Sequence, residues 1–393
     1  MKKIIPYGKH YIDQDDINSV VDILKNKNLT QGPTVLAFEK AVANFVGSKY
    51  AVAMSSWTAG LHMAYLAAGL KENDKIITSP VTFVATSNAA LYCNAKPIFS
   101  DIDPETINLC SKQLEEKIKN IDNIKIISPV HFSGLPCDMK EIKRIADKHK
   151  ITIIEDAAHA LGAKYEDGTM VGNCKYSDMT GFSFHPVKSI AAGEGGMITT
   201  NNKRLYKKLL KLRSHGINKL DDKLINKELA FTDDIKNPWY YEMQELGYNY
   251  RITDIQCALG QSQLKKLNKF IDRRLELVLR YDEAFATFNN VKPIQKKYRK
   301  LSSHHLYVVE INFSNLEINR AKLMTELRNE GILTQVHYMP VTSHPYFKSL
   351  GYETCNYKNS VDYYNKCLSL PLYYSLTNDD QSKVIKLLKS LLN

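Results

Sequence analysis

Two short stretches of this chain put a reactive side chain at the end of an apolar run. The first is Gly181-Phe182-Ser183-Phe184-His185-Pro186-Val187-Lys188, followed by Gly193-Glu194-Gly195-Gly196. A lysine amine attacks carbonyl carbon once it is neutral, and a dry pocket favours the neutral form by penalising the ammonium. The glycines let backbone come close to a ligand. Lys188 is therefore a candidate Schiff-base nucleophile, although a lysine without such surroundings is by default a solvated surface residue. The second run, Ile153-Ile154-Glu155-Asp156-Ala157-Ala158-His159, closes 32 positions earlier on a carboxylate pair and then small residues. Asp156 either aims from a strand's carboxyl end into a ligand crevice or caps the helix that follows. A third stretch, Ser55-Ser56-Trp57-Thr58-Ala59-Gly60-Leu61, joins an apolar run to a helical one. Hydroxyls and backbone N–H groups at a helix start bind anions, but Ser and Thr also cap helices that hold no ligand.

The elements that must carry these residues follow from periodicity. Short apolar runs at 51–54, 76–79, 97–100, 125–130, 151–155, 180–184 and 197–200 alternate with helical patterns at 58–69, 84–93, 138–149 and 202–213. That alternation predicts an α/β fold, with a mainly parallel seven-stranded sheet flanked by helices. Such sheets bind ligands at the carboxyl ends of their strands, where the three stretches fall. Residues 1–14 read as an N-terminal arm, 15–260 as the large domain and 261–393 as a smaller C-terminal α/β domain. In the large domain, helices are expected from Gln14-Asp15-Asp16-Ile17 onward and over 34–46. Residues 216–250 are polar and irregular, and a loop that long favours a functional role. Helical patterns at 253–268 and 270–287 lead into strand-like 306–312 and 332–338, with helices near 319–329, 360–367 and 377–391.

Composition narrows the class. Apolar residues make up 44% and charged residues 24%, which is ordinary for a globular protein. Seven cysteines, an odd number with no C-x-x-C pair, argue against a disulfide framework and a zinc site and for a reducing cytoplasm. No apolar segment follows Lys2-Lys3, so no signal peptide is expected, and the longest uncharged stretches are broken by polar residues well before the roughly 18 residues that span a bilayer. The net charge of +11 is spread along the chain. Its densest group, Lys203, Arg204, Lys207, Lys208, Lys211 and Arg213, has the spacing of a solvated helix face and no interleaved aromatics, so neither nucleic acid nor membrane is an expected partner.

Taken together, an anion-type turn, then an aspartate after a strand, then a lysine resemble fold-type-I pyridoxal-phosphate (PLP) enzymes. Along its whole length the chain resembles the DegT/StrS family of nucleotide-sugar aminotransferases. The motifs are Glu155-Asp156-Ala157-Ala158-His159, Phe182 to Lys188, Gly193-Glu194-Gly195-Gly196, Gly247-Tyr248-Asn249-Tyr250-Arg251-Ile252-Thr253-Asp254-Ile255-Gln256 and Val336-His337-Tyr338-Met339-Pro340-Val341. The resemblance implies PLP as cofactor and no metal. It implies that Lys188 forms the Schiff base and shuttles a proton, and that Asp156 pairs with the ring nitrogen. It places Thr58, the Ala59 backbone and Ser183 at the phosphate, Phe83 on the ring face and His159, where many relatives carry glutamine, near the phenolic oxygen. Asn249 would reach the phosphate from a second subunit of a homodimer with shared sites. The phrases Asn28 to Pro33, Thr82-Phe83-Val84-Ala85-Thr86, Trp239 to Gly247 and Leu368 to Tyr373 further imply L-glutamate as donor and a UDP-4-keto-6-deoxy-N-acetylhexosamine as acceptor. Tyr7, Lys27, Asn28, Leu29, Thr30, Trp57, Arg251, His337, Tyr338, Met339 and Pro340 are the implied substrate contacts. Two departures touch the site. Trp57 stands where relatives carry Ala or Gly, and is expected to narrow the sugar pocket if it faces it; Ala191-Ala192 stands where pathway relatives tend to carry Thr-Thr.

Overall fold

The computed structural model describes residues 3–218 and 224–393. Its main sheet is built from β1 (Tyr50–Met54), β2 (Lys75–Thr78), β3 (Lys96–Phe99), β4 (Ile124–Ser128), β5 (Thr152–Asp156), β6 (Met179–Ser183) and β7 (Gly196–Thr200). The order across the sheet is β1-β7-β6-β5-β4-β2-β3. Neighbours pair in parallel from β3 to β6. Only β7 runs the other way, antiparallel to both β6 and β1. The strands are largely buried, as expected of a sheet covered by helices on both faces.

Two apolar cores lie on the two faces. One packs Phe38, Val42, Ile142, Phe182 and Phe184 against helices Pro33–Val46 and Met139–His149. The other packs Met54, Trp57, Leu61, Ile154 and Leu209 against helices Trp57–Ala67 and Lys203–Arg213. Strand alternation explains why two adjacent carboxylates on β5 behave differently. Successive side chains point to opposite faces, so Glu155 and Asp156 diverge. Glu155 is fully buried and accepts hydrogen bonds from Tyr165 (2.6 Å), Ser177 (2.5 Å) and Thr180 (2.7 Å), with His131 Nε2 at 2.6 Å. Asp156 closes the strand on the other face, at the sheet's carboxyl edge.

The rest of the chain builds a three-stranded antiparallel sheet of Lys292–Pro293, Tyr307–Glu310 and Cys367–Leu370. It packs on helices Leu267–Ala284, Arg320–Asn329 and Asn378–Leu392. The expected strand at 332–338 is reduced to isolated bridges, Ile332 to Ile5 and Gln335 to Ser369. The arm thus completes the small sheet's surroundings: Ile5 is buried and exchanges backbone hydrogen bonds with Gly331 and Leu333. The first helix, Gln14–Asn26, is capped by Asp13, whose carboxylate accepts from Asp15 and Asp16 N–H, while the Asp16 carboxylate accepts back from Asp13 N–H. Helix Asp254–Leu264 runs across position 260. Among the described residues no helix is long and apolar enough to cross a membrane.

Candidate active site

Three strand ends and one reversed strand bring the reactive groups together. β5 delivers Asp156, β6 delivers Ser183 and β1 leads into Ser55-Ser56. β7 begins beside them, pairing Gly196 with Ser183 and with Met54. Gly196 has to be glycine: a Cβ there would stand 2.8 Å from the Trp57 backbone nitrogen. This close approach sets Ser183 next to the start of helix Trp57–Ala67. Ser56 caps that helix by accepting from Ala59 N–H at 3.2 Å. The Ala59 N–H, expected at an anion, is therefore engaged within the chain, and Thr58, partly exposed, is the hydroxyl left at the helix start. A helix start leaves its first N–H groups without intrahelical partners, which is what an anion needs.

Lys188 follows β6 through a turn in which its N–H donates to His185 C=O. Its side chain is partly buried, and among the described residues no hydrogen bond or ion pair engages Nζ. Burial brings the amine down to about 8, against an opposing pull from Asp156. At pH 7 a group of pKa about 8 is roughly a tenth neutral, against less than about a thousandth for an unperturbed lysine. The rate at which the cofactor-free protein reacts with PLP is therefore expected to climb with pH and level off, with its midpoint near 8. Stopped-flow absorbance checks this; a midpoint above 10 would mean a solvated lysine.

Around this amine stand imidazoles that the structure keeps neutral. Burial, with the Lys188 charge, holds His159 well below its ordinary value and brings His337 down to about 3. His305 lies tilted against His159, with ring centroids 4.3 Å apart, and is likewise held well below the ordinary range by burial and by its neighbours. His159 Nε2 meets the Tyr338 hydroxyl at 3.2 Å, while His159 Nδ1 is buried without a partner. Such an orphaned atom calls for a ligand or water. Phe83 lies 6.4 Å from Tyr338, centroid to centroid, and is 60% exposed, so it is not the core phenylalanine its type would also allow. Tyr7 tilts against His337 at 5.4 Å. Pro80 accepts from Val341 N–H, which ties Pro340 to the loop carrying Phe83.

The remaining expected residues form a second group. Ser55 N–H donates to Tyr250 C=O, and Gln256 Nε2 to Glu194 C=O, which places Arg251 between the anion turn and the glycine turn. Among the described residues Arg251 has no carboxylate partner, so the structural ion pair its type would also allow is not formed. Thr30 bridges to Thr253, and Asp254 N–H donates to Leu29 C=O; Lys27, Asn28, Leu29 and Thr30 are exposed beside them. Asn249 is exposed, and its backbone bridges to Ser214. Met339 is partly buried between His337 and Pro340.

Trp57 differs from expectation. It does not face open space: it is 5% exposed, its ring lies over Gly181 and Gly60, and Nε1 donates to Asp156 Oδ1 at 2.8 Å. The sheet leaves a slot of glycine backbone there, which a flat indole fills. Ala191 and Ala192, the other departure, are buried beneath the turn, with Ala192 N–H donating to Phe184 C=O. Two residues escaped the sequence reading. Thr86 donates to Asp156 Oδ2 at 2.7 Å, one helical step from Phe83 in a phrase already singled out. His305 comes from the far C-terminal part, and only the contact with His159 reveals it.

A buried-edge carboxylate, a lysine made partly neutral and a helix-start anion site, on this strand order, define a fold-type-I PLP enzyme. The residues fit the cofactor: the free lysine amine, the orphaned His159 Nδ1 and the exposed Phe83 ring each lack a partner that PLP has to offer. Residues 10–389 match the DegT/DnrJ/EryC1/StrS aminotransferase family, and the chain belongs to it. It is 39% identical over 99% of its length, and 98% of the relative's, to a UDP-4-amino-4,6-dideoxy-N-acetyl-beta-L-altrosamine transaminase of Campylobacter jejuni. The structure of Helicobacter pylori PseC, an aminotransferase involved in the biosynthesis of pseudoaminic acid, matches with a TM-score of 0.89 at 30% identity, covering 99% of both chains. The putative sugar aminotransferase Spr1654 of Streptococcus pneumoniae, solved in PMP and PLP forms, matches in the PMP form with a TM-score of 0.88 at 27% identity, covering 99% of this chain and 97% of that one. The protein is a PLP-dependent sugar aminotransferase.

Proposed function

We propose that the enzyme moves the amino group of L-glutamate to the C4 ketone of a UDP-4-keto-6-deoxy-N-acetylhexosamine. Glutamate leaves as 2-oxoglutarate, and the sugar carbonyl becomes an amine. Bound PLP carries the amino group between the two halves and draws electrons from the reacting carbon. The chain supplies the rest. Lys188 Nζ, brought by burial to where a usable fraction is neutral at working pH, takes a proton from the amino-bearing carbon and returns one. Asp156 accepts the ring N–H. Neutral His159, His305 and His337 orient polar groups without adding charge beside Lys188. Phe83 and Tyr338 keep water from the ring's faces. Arg251, with no carboxylate of its own, binds the donor's carboxylate or the nucleotide's phosphates in a bidentate grip.

The observation that carries the reading is the pairing of Lys188 with Asp156 on a chain similar throughout to transaminases of this sugar type. We further propose a cytoplasmic homodimer with shared sites, and a large and a small domain dividing near residue 260. The dimer reading is supported by the exposed Ile235, Met243 and Leu246 and by Asn249, which faces out. Incubating the purified enzyme with PLP, glutamate and a panel of UDP- and dTDP-linked 4-keto and 3-keto sugars tests the substrate. Mass spectrometry is expected to show a gain of one amino group for oxygen on the UDP-4-keto-6-deoxy-N-acetylhexosamine, at a kcat/KM at least tenfold above the others. A higher value on a 3-keto or dTDP-linked sugar would replace this substrate.

A further inference from the structure

Asp156 has more donors around it than its role at the ring requires, and counting them says where the ring nitrogen goes. A carboxylate offers about four acceptor positions, two on each oxygen. Oδ1 accepts from Trp57 Nε1 at 2.8 Å and from Ala158 N–H at 3.2 Å. Oδ2 accepts from Thr86 Oγ1 at 2.7 Å. Oδ1 is therefore saturated, and Oδ2 keeps one open position. The Thr86 hydroxyl has one proton. Since it goes to Asp156, the Thr82 hydroxyl at 2.9 Å has to donate to Thr86, so the chain Thr82 to Thr86 to Asp156 runs one way.

We infer that Trp57 is a positioning residue: its indole N–H pins Oδ1 and turns Oδ2, alone, toward the cofactor's ring nitrogen. The inference rests on the site being a PLP site. An indole N–H only donates, so the oxygen it meets can act only as an acceptor. The seat for the ring is built. A methyl group on Gly181 would overlap the indole, and Cβ atoms on Gly60 and Gly196 would come within 2.6 Å of its ring and 2.8 Å of its backbone nitrogen. Removing the donor would leave Oδ1 held only by the longer bond from Ala158 N–H, at 3.2 Å, and loosen the carboxylate's rotation about its bond to Cβ, so that the ring nitrogen meets a less fixed carboxylate. Trp57 thus acts on electron withdrawal by the ring from behind Asp156, not on sugar fit.

The chain has two tryptophans, so a Trp239→Phe background leaves Trp57 alone. In that background Trp57 is replaced by its benzothiophene isostere, which keeps the ring's shape and has sulfur where the N–H was; a Trp57→Phe variant runs in parallel. The isostere is expected to lower kcat for the glutamate half-reaction about 10- to 100-fold, the range set by losing a hydrogen bond to a charged group. KM for glutamate should stay within about threefold, and the visible absorbance maximum of the PLP-loaded enzyme should shift. With natural tryptophan labelled with ¹⁵N, the indole N–H resonance should move when PLP is added. A kcat within twofold of the background, or a slower enzyme with an unmoved absorbance band and indole resonance, would overturn the inference and leave Trp57 a packing residue. Failure of the unaltered protein to form any visible band with PLP would instead defeat the cofactor assignment itself.

Discussion

Lys188→Ala is expected to lower kcat for transamination by at least about 10⁴-fold, the upper range for a group that both moves a proton and supplies the nucleophile. The side chain is partly exposed and, among the described residues, held by no hydrogen bond or ion pair, so its removal leaves the packing of β6 and the glycine turn in place. Circular dichroism should be unchanged. Adding PLP should give no borohydride-reducible adduct at position 188 by peptide mass spectrometry. Lys188→Arg is expected to be as inactive, because a guanidinium keeps its proton throughout the working range. Retention of a tenth of the activity by either variant would remove Lys188 from the chemistry. The same variant tests whether sites are shared. Mixed with equal Asn249→Asp subunits, it leaves in each hybrid dimer one site with both residues intact. If Asn249 serves the partner's site, unfolding and refolding the mixture should restore about a quarter of wild-type activity. If it serves its own, no hybrid site is whole and nothing returns.

What made Lys188 and Asp156 legible in the sequence is that each ends a run of apolar residues. Parallel strands buried on both faces read as uninterrupted apolar stretches, and their carboxyl ends are where the reading stops. All seven strands of the main sheet could be placed in this way, and helices such as 138–149, observed as Met139–His149, followed from their 3.6-residue period. The direction of β7 could not be read. An apolar run carries no arrow, and the reversal accompanies a connection through Lys188, from Ser183 to Gly196, that contains no crossover helix. The segment 332–338 misled because only Ile332 and Gln335 there, among the described residues, form bridges, to Ile5 and Ser369 singly and without a ladder. Trp57 misled for a physical reason too. Whether an indole faces a pocket or the core depends on what lies opposite, and the slot is made by Gly181 and Gly196, more than 120 positions away. Thr86 and His305 were invisible for the same cause: their partners, Asp156 and His159, are joined to them only by the fold.

Asp156→Asn should show how much of the rate depends on charge rather than shape. The amide is nearly isosteric, and its oxygen can still accept from Trp57 and Ala158. Its nitrogen, however, donates. The Thr86 hydroxyl can turn to accept from it, which the relay from Thr82 permits by reversing, so the protein is expected to fold with no more than a small loss of stability. Only the ring nitrogen is left without an acceptor, since the one open position on Asp156 becomes an N–H. Breaking a buried charged pair by removing one partner costs about 3–5 kcal/mol, which converts to a fall in kcat of roughly two to four orders of magnitude if it falls on the transition state alone. Because the proton on the ring matters most while the reacting carbon is losing its own, the loss should appear in both half-reactions, with glutamate and with the keto-sugar, and in kcat more than in KM. Single-turnover absorbance measurements separate them. A variant that slowed only the sugar half-reaction would place Asp156 at the substrate instead, and would return the question of charge at the ring to Thr86 and Trp57.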